Sequence, residues 1–258
     1  MGWKNDFLSN GESELSKEFL ENGYLLLEVE DPRSLEKIRN MLIQIVVELA
    51  GGKTTSTKNC LDNIHKRIQP ESLNDLRVKL INHLNATNWL RESYFSLART
   101  VLETIVGNEL AMQLRINLSI QMPHDDSSLL PVHSDVWSGD SPFEVVVWLP
   151  LVDCYRTKSM FLLPPAPTRK FHDNFHEFKM KNSEEFFRAI EPELKWIDIS
   201  YGQVLLFNQN LPHGNRVNNE SETRWSMNCR FKSIFSPYGD KKLGEFFEPI
   251  TLRAASRL

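Results

Sequence analysis

The sequence predicts an α+β protein: a helical front half packed on a β core that is a sandwich, a barrel or a double-sheet jelly roll. Three observations carry this expectation. Up to about residue 110, apolar side chains recur at helical spacing. From Ala111 the pattern changes to alternation with period two, followed by short strand-like runs divided by turn signals. One Phe-rich stretch, 167–192, interrupts those runs and reads as helix. No low-complexity linker or internal repeat divides the chain, so one domain over 1–258 is expected. It would have helical support over 1–110, a core over 111–235 and a tail over 236–258.

In order, residues 12–22 carry Leu15, Phe19 and Leu20 before Gly23 stops the helix, and Tyr24-Leu25-Leu26-Leu27 reads as a short buried strand. Pro32 opens a longer helical pattern through Leu35, Ile38, Met41, Leu42, Ile45 and Leu49, closed by Gly51-Gly52. Two further amphipathic stretches follow, at about 71–85 and 88–106. Leu114, Ile116, Leu118 and Ile120 then alternate with Arg115, Asn117, Ser119 and Gln121, the signature of a half-buried strand. Further strand-like runs are expected at 132–137, 144–152, 160–163, 196–199, 203–208 and 224–234, with Ser138-Gly139-Asp140, Pro164-Pro165 and Tyr201-Gly202 as turns between them.

Composition removes several classes. The 258 residues are 41% hydrophobic and 10% aromatic, which supports a packed core and excludes disorder. Thirty Lys+Arg against 34 Asp+Glu leave a formal charge of −4 with no basic block, so no nucleic-acid partner is expected. No apolar run approaches the roughly 18–20 residues of a membrane span. The first residues hold no apolar leader core, and Asp6 stands where a myristoylation signal needs Ser or Thr. Cys60, Cys154 and Cys229 are odd in number and far apart, which fits a reducing cytoplasm better than a disulfide framework. Ser256-Arg257-Leu258 resembles a peroxisomal address, but chance supplies a three-residue match cheaply. A cytoplasmic, soluble protein is expected; its oligomeric state is not legible.

The sharpest local feature is His133-Ser134-Asp135 within a strand-like run. Residues i and i+2 of a strand share a face, so the imidazole and the carboxylate would project together. Two histidines and one carboxylate on one face of an octahedron leave open positions, the arrangement of non-haem Fe(II) oxygenases. His213, in Leu211-Pro212-His213-Gly214-Asn215 after the 203–208 run, is the best second histidine. Further on, Arg224 and Ser226 share a strand face. A guanidinium with a neighbouring hydroxyl suits the far carboxylate of a dicarboxylate. Taken alone, HxD is a common accident and Arg224 a solvated strand-edge charge.

Together these residues resemble the Fe(II)/2-oxoglutarate-dependent oxygenases, and their surroundings resemble the phytanoyl-CoA hydroxylase-like branch. The supporting text is Trp148-Leu149-Pro150-Leu151 after the HxD run and Gly202-Gln203-Val204-Leu205-Leu206-Phe207 before the distal histidine. More narrowly, 133–153 and 196–235 are similar in texture to bacterial members of that branch found with carbohydrate-cluster enzymes. The resemblance implies a double-stranded β-helix, the jelly-roll or cupin-like core. It makes His133, Asp135 and His213 the iron ligands, and Arg224 with Ser226 the seat of 2-oxoglutarate. Trp148 and Asn215 fall beside the cosubstrate. Cofactors would be Fe(II), 2-oxoglutarate and O2, and the reaction hydroxylation or a related oxidation of a C–H bond. Halogenating relatives lack the carboxylate that Asp135 supplies. One departure stands out: Phe161-Leu162-Leu163-Pro164-Pro165 replaces a Pro-Gly-Ser-His turn common in the branch.

Candidate substrate residues are Arg115, Asn117 and Gln121 on one strand face and Arg230, with Asn228, on the Arg224 face. If these faces line the barrel, the pocket is polar and suits a sugar or sugar-containing intermediate; on an edge strand the same residues are only solvated. The Phe-rich insertion is either a lid or plain helix-on-sheet packing. His172 and His176 have zinc spacing on a helix but lack the glutamate and third ligand of a metalloprotease motif. The competing functions are a non-catalytic jelly-roll protein binding a sugar or metal, and a cupin-type isomerase, which leaves Arg224 and Ser226 without a role.

Overall fold

The computed structural model describes residues 7–49, 59–174, 176 and 182–257. Helix α1 (Asn10–Asn22) begins on a reciprocal cap: the Ser9 hydroxyl accepts from the Glu12 N–H, and the Glu12 carboxylate accepts from the Ser9 N–H. It ends at Gly23, whose φ of +75° turns the chain into strand β1 (Tyr24–Glu28). Helices α2 (Pro32–Leu49) and α3 (Leu73–Ala86) follow the expected apolar periods. The stretch 88–106 breaks into α4 (Leu90–Ser96) and α5 (Arg99–Ile105) rather than forming one helix. At the break Glu30 N–H bonds the Leu97 carbonyl, and the Glu30 carboxylate accepts from the freed N–H groups of Thr100 and Val101. The expected Gly51-Gly52 stop lies outside the described residues, as do Asp6, Leu258 and the insertion residues Phe175 and Phe178.

The β half forms two antiparallel sheets, the jelly-roll architecture expected. The larger contains β1, β2 (Leu110–Gln113), β3 (Asn117–Gln121), β4 (Glu144–Pro150), β7 (Gln203–Asn208), β9 (Arg224–Ser233) and β10 (Phe247–Pro249), in the order β1-β7-β4-β9-β2-β10 with β3 also paired to β9. The smaller runs β6 (Lys195–Trp196), β5 (Phe161–Leu162), β8 (His213–Gly214). Three corrections follow. The expected single strand through 114–121 begins only at Asn117: Leu114 N–H still bonds along β10, to the Phe246 carbonyl, and Ile116 N–H is taken by the Asn85 side chain instead of a strand partner. The Gln113 amide oxygen then accepts the Arg230 N–H beside the gap. The HxD segment is also no strand: His133 makes a single bridge to His213, and Asp135–Ser138 is a 3-10 turn. The 236–258 segment, expected as a tail, adds β10 to the sheet edge.

Strand β9 divides the molecule. Trp225, Met227, Cys229 and Phe231 are wholly buried in the main apolar cluster with Ile38 and Leu42 of α2 and Leu80 and Leu84 of α3. Polar bonds fix the helical layer: Tyr94 Oη donates to the Val147 carbonyl and Trp225 Nε1 to the Leu61 carbonyl, both at 2.9 Å. The alternate residues Arg224, Ser226, Asn228 and Arg230 line a cavity of about 250 Å³ that is also walled by His213 and Gly214 of the smaller sheet. The insertion contributes α6 (Pro165–Asp173) and α7 (Ser183–Ile190), whose Phe171, Phe186 and Phe187 pack with Phe161 in a separate apolar cluster. Among the described residues no helix is long and apolar enough to cross a membrane.

Candidate active site

His133, Asp135 and His213 converge in the cavity, with one ligand atom from each lying within 4.8 Å of the others. The backbone arranges this meeting. His133 and His213 exchange both N–H···O bonds, at 3.0 and 2.8 Å, and this bridge brings their rings together, tilted by 51° with centroids 4.3 Å apart. Asp135 is brought in by the turn, with its N–H on the Gln209 carbonyl, while the buried Ser134 hydroxyl bonds the Gln209 and Asn210 carbonyls. Each imidazole carries the same local device: His133 Nδ1 lies 2.8 Å from the Pro131 carbonyl and His213 Nδ1 2.8 Å from the Leu211 carbonyl. A carbonyl only accepts, so Nδ1 holds the proton and Nε2 presents its lone pair, as metal ligation requires. Burial, reinforced by neighbouring His133, pulls His213 down to about 4 and keeps it neutral.

Deeper in the cavity Arg224 is 2% exposed. Its Nη1 donates to the Ser159 carbonyl at 3.2 Å and Nη2 to the Ser119 hydroxyl at 3.0 Å. Its Nε and the Ser226 hydroxyl, both buried, have no hydrogen-bond partner among the described residues. Nor does any described carboxylate pair with this cation, and burial lowers it to about 10. Buried polar groups are normally satisfied, and a buried charge normally paired. The unmet donors at Arg224 and Ser226 fit the terminal carboxylate of a bound dicarboxylate, and the two imidazole Nε2 atoms with Asp135 fit a divalent transition metal.

Other sequence candidates divide. Trp148 and Asn117 line the cavity, as does Asn215, but Asn215 spends its side chain on Leu130 N–H and the Ser128 carbonyl, tying down the loop before His133. Arg115 is a correction: at the break between β2 and β3 it turns to the Asn82 side chain on α3, away from the cavity. Gln121 is a second: it is wholly buried, with Nε2 on the Arg216 carbonyl, and does not line the cavity. Arg230 lines it but is ion-paired to Asp135 at 3.0 Å. Sequence reasoning missed Gln113 and Gln209, whose amide oxygens flank Arg230. Gln113 and Gln209 lie just outside the predicted strand runs, and only the structure shows them to be buried. His172 and His176 belong to the insertion, and among the described residues His133, Asp135 and His213 form the sole cluster of metal-ligating type.

No family model matches the sequence, and no curated protein matches it either. Solved structures do. A non-heme monooxygenase determined as the ThoJ–Ni complex superposes with TM-score 0.58 at 14% identity, over 94% of this chain and 85% of that one. SnoK, a non-heme alpha ketoglutarate dependent carbocyclase from nogalamycin biosynthesis, gives 0.53 at 15% identity, over 95% and 97%. HygX from Streptomyces hygroscopicus, solved with iron bound, gives 0.51 at 13% identity, over 92% and 90%. At these identities the likeness is one of fold: the chain shares its jelly-roll architecture with these solved structures.

Proposed function

We propose that this protein is an Fe(II)- and 2-oxoglutarate-dependent dioxygenase that oxidises a C–H bond of a small, polar, sugar-like metabolite. One observation carries the proposal. The same cavity holds two tautomer-fixed histidines with Asp135 and, beside them, a buried arginine and serine with unmet donors. A cupin-type isomerase leaves those donors unexplained. His133, Asp135 and His213 would hold the iron; Arg224 and Ser226 would orient the cosubstrate through its far carboxylate, and Trp148 would pack beside it. When bound, iron and 2-oxoglutarate supply O2 activation: substrate C–H, 2-oxoglutarate and O2 become C–OH, succinate and CO2. The low-dielectric wall of the cavity strengthens the Arg224–carboxylate contact and excludes water from it.

The substrate reading rests on neutral groups. Asn117 and Asn228 face each other across β3 and β9 and bond side chain to side chain at 2.9 Å, leaving the Asn117 carbonyl and Asn228 N–H groups as uncharged contacts. Arg230 is engaged by Asp135 and Arg224 is reserved for the cosubstrate, so a hydroxylated, uncharged reacting end fits better than a carboxylate or phosphate. Reduced, buried cysteines agree with a cytoplasmic setting, and one domain accounts for sheet, helices and insertion. Succinate release with Fe(II), ascorbate and 2-oxoglutarate tests the proposal. Neutral polyhydroxylated compounds should accelerate it over the substrate-free rate. Arg224→Ala should raise the KM for 2-oxoglutarate by about 100-fold, as expected for a lost buried charge contact. An iron-loaded protein that neither binds nor consumes 2-oxoglutarate would instead be a binding protein.

A further inference from the structure

We propose that Arg230 is the positioning residue for Asp135, fixing that carboxylate as a one-oxygen metal ligand. The proposal rests on the reading of His133, Asp135 and His213 as a metal site. The two carboxylate oxygens have different surroundings. Oδ1 faces the imidazoles, 3.7 Å from His133 Nε2, whereas Oδ2 is 3.0 Å from Arg230 Nη2. Charge-assisted bonding to one oxygen lowers the availability of its lone pairs, so the carboxylate presents Oδ1 to a metal rather than closing on it with both. One coordination position is thereby kept open for a chelating cosubstrate.

The guanidinium cannot swing away freely. Its Nε donates to Gln209 Oε1 at 3.1 Å and its Nη1 to Gln113 Oε1 at 3.4 Å, both from buried glutamines. Gln209 is itself oriented by donating to the Ser141 carbonyl at 2.8 Å and to Glu144 at 3.0 Å. Behind the guanidinium, Asp140 Oδ2 stands 3.8 Å from Nε and is held at 2.6 Å by Lys241. Of the two carboxylates that reach Arg230 among the described residues, Asp135 is the nearer, at 3.0 Å against 3.8 Å for Asp140, whose charge Lys241 shares. A substrate-binding arginine would be arranged the other way, with its charge unmet before ligand arrives, as Arg224 is.

Co(II) titration of the metal-free full-length protein, read by visible absorption, tests this without turnover. Wild type should bind one Co(II), and Asp135→Ala should lose it. Arg230→Gln should bind about 10- to 100-fold more weakly, the usual cost of removing an outer-shell partner, and shift the Co(II) d–d bands as the carboxylate reorients. Arg230→Lys, which keeps the charge, should recover part of the affinity and of the band pattern, and it carries the test if the glutamine variant does not fold. Wild-type affinity and spectrum in both Arg230 variants would overturn the proposal, even if substrate KM rises. Wild-type Co(II) binding by Asp135→Ala would overturn the underlying metal reading instead.

Discussion

The two histidines show how little sequence is needed to fix a tautomer. Each donates Nδ1–H to the carbonyl two residues earlier, so the tautomer is set by local geometry before any metal is considered. For His213 burial adds a pH dependence with a definite sign. Its folded value of about 4 lies below the ordinary 6.5, so the unfolded chain takes up the proton first. In the metal-free protein this stability is fully present above about pH 6.5 and is lost as pH falls toward 4. The loss is about 2 kcal/mol by pH 5. Denaturant unfolding at pH 7.5 and 5 should show wild type losing about that much more than His213→Gln; equal losses would contradict it. At this scale HxD, His213 and Arg-x-Ser were legible because each is a short pattern with a chemical reason. The engagement of Arg230 was not, because its partner Asp135 lies on a distant turn and the pair forms only when β9 passes behind it.

Among the elements, β8 and the His133 segment form the hinge of the site. Gly214 follows His213 at this crossing, and a Cβ there would sit 2.7 Å from the Leu130 carbonyl, 3.2 Å from that of Pro131 and 3.1 Å from the Phe161 ring. Those carbonyls belong to the segment that carries His133, so Gly214→Ala must push the two histidines apart. Co(II) affinity should fall about 10-fold or more and stability by about 1–3 kcal/mol, the usual range for overpacking; unchanged metal affinity would show that the crossing tolerates the shift. Strands β4, β7 and β9 were readable because buried strands announce themselves as apolar or alternating runs. The break between β2 and β3, and the one between α4 and α5, were not. Both are made by distant side chains, Asn85 and Glu30, that take over backbone groups from the regular pattern. The HxD segment reads as extended for a related reason: i and i+2 do converge, but through a turn pinned to Gln209 and Asn210 rather than a strand.

For the whole molecule, the division of labour is set by β9, one face closing the apolar core under the helices and the other presenting Arg224, Ser226, Asn228 and Arg230. The loop before Ile64 locks the layers together: Lys158, wholly buried, reaches Asp62 at 2.8 Å and Glu222 at 2.7 Å, and Thr223 N–H bonds the Asp62 carbonyl. The start of β9, and with it Arg224, is therefore held from the helical side. The order of helical front, β core and insertion was legible from periodicity alone. The C-terminal strand was not, since Phe247–Pro249 is too short and too polar a run to announce a strand without β2 beside it. The central claim is that one cavity holds a metal and a 2-oxoglutarate together. Its most direct test is the anaerobic visible difference spectrum of the Fe(II)-loaded protein on adding 2-oxoglutarate. A broad metal-to-ligand charge-transfer band is expected in wild type, absent in Asp135→Ala and reached only at much higher 2-oxoglutarate in Arg224→Ala. Iron bound at His133, Asp135 and His213 with no such band at any 2-oxoglutarate concentration would contradict the account.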